Sequence, residues 1–139
     1  MSVSPQPLSE ADERTWAMLA HLSVLANLVT GFLGPVAAIV IYAVYQERSR
    51  YVAYHAWQSF IFQLVWWVGG GIVVGLAWAM TGILSAILIG LLCIPIAILI
   101  SLVPVAAVVY GVVGAIQVSQ GQDFKYWLTS DWDFVRDKA

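Results

Sequence analysis

Charge is the commodity this sequence has least of. Of its 139 residues only 10% are charged while 61% are hydrophobic, against about 25% charged in an ordinary soluble domain. One domain's worth of chain with this balance belongs in lipid. A basic excess is missing as well: six Lys and Arg stand against eight Asp and Glu, a net charge of -2. Nucleic acid is therefore excluded as a partner, because a phosphate backbone demands a positive footprint. The single cysteine, Cys93, lies in the apolar run Leu91-Leu92-Cys93-Ile94. It permits no intramolecular disulfide and no multi-cysteine metal site.

Catalytic signatures are equally scarce. Ser85 and Ser101 have no base at useful spacing, so nucleophilic catalysis has no support and a non-enzymatic protein without a cofactor is expected. Gly69-Gly70-Gly71 lacks an adjacent Lys-Ser/Thr and reads as a close-packing or hinge element with Gly75, not a phosphate loop. The stretch before Thr15 carries Glu10, Asp12 and Glu13 but no basic start running into a short apolar core. It does not read as a cleaved signal, and the first apolar segment is expected to stay as an anchor.

What charge there is falls in three places: Glu10 to Arg14, Glu47 to Arg50, and Asp123 to Lys138. The uncharged stretches between them, 15–46 and 51–122, are each too long for one crossing, since a hydrocarbon core of about 30 Å needs about 20 helical residues. Each must fold back. The first breaks at Thr30-Gly31-Phe32-Leu33-Gly34-Pro35, where two glycines supply a turn and a proline opens the next helix. Met80-Thr81-Gly82 offers the best break in the second.

An all-α, polytopic membrane protein follows, with four transmembrane helices in two hairpins at about 9–29, 35–46, 51–79 and 83–118. A polar segment, 1–14, precedes the four-helix domain, 15–122, and an aromatic and charged tail, 123–139, follows it on the cytoplasmic or interfacial side. Ser9 and Asp12 resemble a capping box for the first helix. The second helix is short for a full crossing, so the first pair can form a shallow hairpin. Pro95 and Pro104 lie inside the fourth helix, and a fifth span broken near 101–104 is the rival topology. Four spans place all six basic residues on one face, as the positive-inside tendency requires. The expected location is the cell inner (plasma) membrane, multi-pass, with both termini cytoplasmic.

Seven polar residues inside the apolar stretches stand out. His55, Gln58, Ser59 and Gln63 share one helical face. Ser23 and Asn27 form a second stripe, with His21 pointing nearly opposite. His21 and His55 lie at similar depth and can be neighbours. The plain reading is a set of interhelical hydrogen bonds, each worth about 0.6 kcal/mol. The sharper one makes the histidines a proton-sensitive pair, a metal site or axial ligands to a tetrapyrrole. Two histidines without nearby carboxylates or thiolates are a thin ligand set, so no metal is expected.

Trp16-Ala17-Met18-Leu19-Ala20-His21-Leu22-Ser23, the Gly34-Pro35 opening of a short apolar helix, and Tyr54-His55-Ala56-Trp57-Gln58-Ser59-Phe60 together resemble the Tic-type chloroplast import component family and its bacterial relatives. That resemblance covers about 15–122. It implies a four-span subunit of a membrane complex, with His21, Ser23, His55 and Gln58 as signature positions. The leading expectation is a non-catalytic subunit or scaffold, in contact with the lipid bilayer and with other membrane subunits or copies of itself. A small channel or transporter using the polar helix face, and haem or chlorophyll-type pigment binding through His21 and His55, are the alternatives.

Overall fold

The computed structural model describes residues 6–138; the remainder of the expected N-terminal segment, 1–5, and Ala139 lie outside them. All the regular structure among the described residues is helical. The first hairpin comprises α1 (Glu10–Leu22), a 3₁₀ turn (Ser23–Leu25), α2 (Ala26–Thr30) and α3 (Leu33–Tyr45). Next come α4 (Arg50–Gln63), a π-helical stretch (Leu64–Gly69) and α5 (Gly70–Ser85), which run on as one helix of 36 residues. It is followed by α6 (Gly90–Ser119, 30 residues) and a short α7 (Asp133–Lys138).

Local chemistry explains most of these limits. Ser9 caps α1 by accepting from the Asp12 backbone N–H at 3.2 Å, and Ser49 caps α4 by accepting from Val52 N–H at 3.1 Å. Gly31, at φ 84, takes the left-handed conformation that ends α2. The hairpin turn expected at Met80-Thr81-Gly82 lies instead at 86–89, where Leu88 adopts φ 64. The hydroxyl of Thr81 bonds back to the Ala77 carbonyl and that of Ser85 to Thr81, so helix persists through the weak point. The fourth helix accordingly begins at Gly90, not 83. Pro95 and Pro104 leave α6 unbroken, and the chain does not divide into a fifth helix there.

The two hairpins differ in reach. At 1.5 Å per residue, Arg50–Ser85 is about 54 Å long and α6 about 45 Å, while α3 is only about 20 Å. The Trp67 indole N–H donates to the Gly31 carbonyl, which sets the tip of the first hairpin halfway along the longer helix. Up to that level α1, α3, α4 and the second half of α6 pack together; beyond it α5 and the first half of α6 continue as a pair. Two helices are thus long and apolar enough to cross a membrane, and α3 is a shorter apolar helix. Outward-facing residues are apolar at both levels, from Leu28, Val29 and Val40 on the first hairpin to Leu76, Leu92 and Leu99 on the second.

The charged segments converge at the opposite end. Ser49 donates to Glu13 at 2.6 Å, Arg48 Nε donates to the Gln6 carbonyl at 3.2 Å, and the Arg14 guanidinium lies over Gly121. An α-helical bundle studded outside with apolar side chains and charged at one end is a membrane protein. Glycine marks its close approaches: a Cβ on Gly34 would fall 2.2 Å from Gln63 Oε1, whereas one on Gly75 would meet nothing within 4 Å. Gly34→Ala should therefore cost about 1–3 kcal/mol through overpacking, and Gly75→Ala should be neutral or stabilising by up to about 1 kcal/mol through helix propensity. Thermal unfolding of the two variants in one detergent checks the contrast.

Candidate functional site: a buried polar network

All seven polar residues singled out above are buried, and they form two connected groups. The deeper group centres on Gln63. Its amide nitrogen donates to Ser23 Oγ at 2.9 Å and to Ser59 Oγ at 3.0 Å, and its Oε1 accepts from Asn27 Nδ2 at 3.1 Å. Asn27 Oδ1 accepts from the Gly34 backbone N–H at 2.8 Å, and both Ser23 and Ser59 donate to the Ala20 carbonyl at 2.7 Å. One glutamine on α4 thereby fixes α1, α2 and the start of α3.

The second group joins the histidines to the tail. His21 Nε2 lies 3.1 Å from His55 Nδ1, and His21 Nδ1 lies 2.9 Å from the Tyr126 hydroxyl. Gln58 clamps the backbone on either side: its Nε2 donates to the Phe124 carbonyl at 3.2 Å, and its Oε1 accepts from Tyr126 N–H at 3.3 Å. The Tyr126 ring stacks on Phe62 at 3.8 Å between centroids and 5° between planes, with Phe124 and Tyr110 edge-on. Burial drives the Tyr126 phenol well above its ordinary pKa, so it stays a neutral O–H.

The protons along this chain are coupled. When Tyr126 O–H donates to His21 Nδ1, neutral His21 carries its proton on Nε2 and donates to His55 Nδ1, which puts the His55 proton on Nε2. Reversing the first bond reverses the rest. His55 Nε2 is buried and finds no hydrogen-bond partner among the described residues, the one ring nitrogen of the four left uncommitted there. A ligand to these histidines would have to break a bond already made or approach His55 Nε2.

Two features depart from the sequence-based expectations. The helical wheel set His21 opposite Asn27, yet both face α4. Three residues of 3₁₀ geometry, at 120° per residue instead of 100°, add about 60° of rotation between them. The tail, expected on the membrane surface or against a partner, folds back on its own bundle and buries Phe124, Tyr126, Thr129, Ser130 and Val135, leaving Trp127 exposed. An apolar cavity of about 430 Å³ opens beside it, walled by Phe62, Trp66, Tyr110, Tyr126 and Trp127; none of the seven polar residues lines it. The sequence marks Gly34 as a turn residue only, not as the backbone partner of Asn27, and gives Tyr126 no role of its own. The sequence signal available for Tyr126 is the alternation Phe124-Lys125-Tyr126, which the structure resolves into buried, exposed and buried positions.

These features define a class: a small helical membrane protein whose internal polar groups are spent on locking short helices and a C-terminal segment to a long apolar hairpin. The chain belongs to the MamF/MmsF family, the magnetosome magnetite crystal formation protein family, whose profile matches residues 12–135. That match overturns the resemblance to the Tic-type chloroplast import component: the shared Ala-His-Leu-Ser and His-Ala-x-Gln elements are short, and the magnetosome profile accounts for nearly the whole chain. No curated protein and no solved structure matches it.

Gln58→Leu removes both clamps on the tail and leaves the Phe124 carbonyl and Tyr126 N–H unpaired, which should cost about 1–3 kcal/mol. Trypsin should then cut after Lys125 much faster than in the unmodified protein, while the second hairpin stays intact; digestion in mild detergent followed by mass spectrometry reads this out.

Proposed function

We propose that this protein is a non-catalytic structural component of a magnetosome-type bacterial membrane, contributing to magnetite crystal formation by shaping or organising the membrane and its partners. The observation that carries this reading is the saturation of the polar network. Gln63, Asn27, Ser23, Ser59 and Gln58 are committed to one another and to backbone groups. Buried amides held this way fix helices and leave no acceptors for a passing solute. The channel reading loses support because the polar face of α4 looks inward, covered at Ser59 and Gln63 by α1 and α2 and at Gln58 by the tail. Pigment binding loses support because three of the four histidine nitrogens are engaged.

In this reading the second hairpin crosses the bilayer, the first enters it only part-way, and both termini sit on the cytoplasmic side. Clustering of all three charged segments at one end supports that arrangement. So does a tilt within the usual range of about 0–40°, which lets a 54 Å helix fit a bilayer of about 40–45 Å including headgroups. Partners, whether other membrane subunits or further copies, meet the exposed faces of the bundle.

Two measurements test this. Reporters fused after Arg50 and after Ala139 should both report the cytoplasm, and one inserted at Leu88 the opposite side; reporters after Arg50 and Ala139 on different sides would sink the topology. In a magnetite-forming bacterium, loss of the gene should alter crystal size or number seen by electron microscopy, and Gln63→Leu should reproduce part of that change. Unaltered crystals in the deletion strain would refute the functional role.

A further inference from the structure

The molecule is tapered along its long axis, and the taper has a direction. From Arg50 to Trp67 the long helix is accompanied by α1, α3, the second half of α6 and the docked tail. From Gly70 to Ser85, among the described residues, it has only the first half of α6 beside it, with Pro104 next to Gly70 and Trp78 donating to Ser101 at 3.0 Å. With helices about 10 Å across, four helices occupy about twice the area of two. The change falls near the middle of the 36-residue helix, about 26 Å from its charged end.

We propose that this shape makes the protein a curvature-responsive wedge whose ligand is a strongly bent lipid bilayer, convex on the side that carries the termini. This rests on the reading above that the second hairpin crosses the bilayer from the side of the charges. The step from four helices to two then falls near the bilayer midplane. One leaflet holds the broad part and the other the narrow part.

Both levels are built for lipid contact. Leu28, Val29, Phe32, Val36, Val40 and Val44 turn outward from the first hairpin, so it displaces acyl chains in the near leaflet instead of standing in water. In the far leaflet α5 and α6 have few buried side chains, and Gly71, Gly75 and Gly82 face open space. Extra area in one leaflet relative to the other is relieved when that leaflet is on the outside of a bend, as with interfacial helices whose binding depends on curvature.

The test uses the full chain, labelled at its C-terminus and reconstituted into giant vesicles of phosphatidylcholine and phosphatidylglycerol, from which narrow membrane tubes are pulled. Orientation is read by protease access to the label. Molecules with termini outward should be enriched on the tube relative to a lipid dye, several-fold and increasingly as the tube narrows; those with termini inward should be depleted. A tube-to-vesicle ratio of one at every radius, or depletion of the outward population, would overturn the proposal while leaving membrane insertion standing.

A second variant separates taper from other causes. Gly71→Phe, Gly75→Phe and Gly82→Phe together add bulk to the narrow end at positions with room for it. With helicity unchanged by circular dichroism, this triple variant should show a smaller enrichment; an undiminished one would rule out the taper. Release of the unmodified protein from vesicles by alkaline carbonate would overturn both the wedge and the membrane-crossing reading beneath it.

Discussion

A polar atom inside lipid must find its partner within the protein, and in this molecule that requirement fixes the arrangement of the helices. An unpaired amide there would cost several kcal/mol. Gln63 meets the requirement with both of its N–H groups and its carbonyl oxygen, reaching Ser23, Ser59 and Asn27. Asn27 passes the constraint to the Gly34 backbone, which fixes where α3 begins. Apolar packing alone would give these short helices little preference for one register, since lipid is as apolar as leucine. Alternative registers would strand an amide.

Gln58 applies the same logic to the C-terminal segment. An irregular stretch such as 122–132 carries backbone groups that no helix satisfies. It is kept against the bundle because the Phe124 carbonyl and Tyr126 N–H are paired with one side chain, and the Tyr126 hydroxyl with His21. The stacked and edge-on rings of Phe62, Tyr110, Phe124 and Tyr126 add apolar contact around that pairing. Gly114 makes room: a Cβ there would lie 2.6 Å from the Phe124 ring.

Much of this was legible in the sequence. Uncharged stretches of more than 30 residues demanded a fold-back, the Gly31 to Pro35 break was visible, and the polar residues worth watching were identifiable as exceptions in an apolar run. What was hidden depended on geometry that composition does not encode. The turn at 86–89 carries no glycine or proline itself and is marked only by Gly90 just after it, where a Cβ would fall 2.3 Å from Ser85 and Thr81, while Thr81 and Ser85 bridge the more conspicuous Met80-Thr81-Gly82 site. The 3₁₀ turn that rotates Asn27 toward α4 leaves no sequence trace. Tyr126 is not legible because a mixed aromatic and charged tail reads as interfacial when its docking partners lie more than 60 residues away. The family resemblance erred because it rested on short motifs around two histidines, whereas the profile that matches spans residues 12–135.

The proton chain through Tyr126, His21 and His55 bears on which functional class fits. A conducting path needs polar groups that exchange partners with water or solute at both ends. Here one end is a phenol that burial keeps protonated and that also meets the Ser59 hydroxyl, and the other is a single imidazole nitrogen with no hydrogen-bond partner among the described residues. Such a chain can switch the sense of its hydrogen bonds in concert, but both of its ends are buried. Its consequence is mechanical: each of the three side chains is held by the next, so the tail, α1 and α4 are tied as one unit. That joins the histidines to the broad four-helix end, which sits on a two-helix stem.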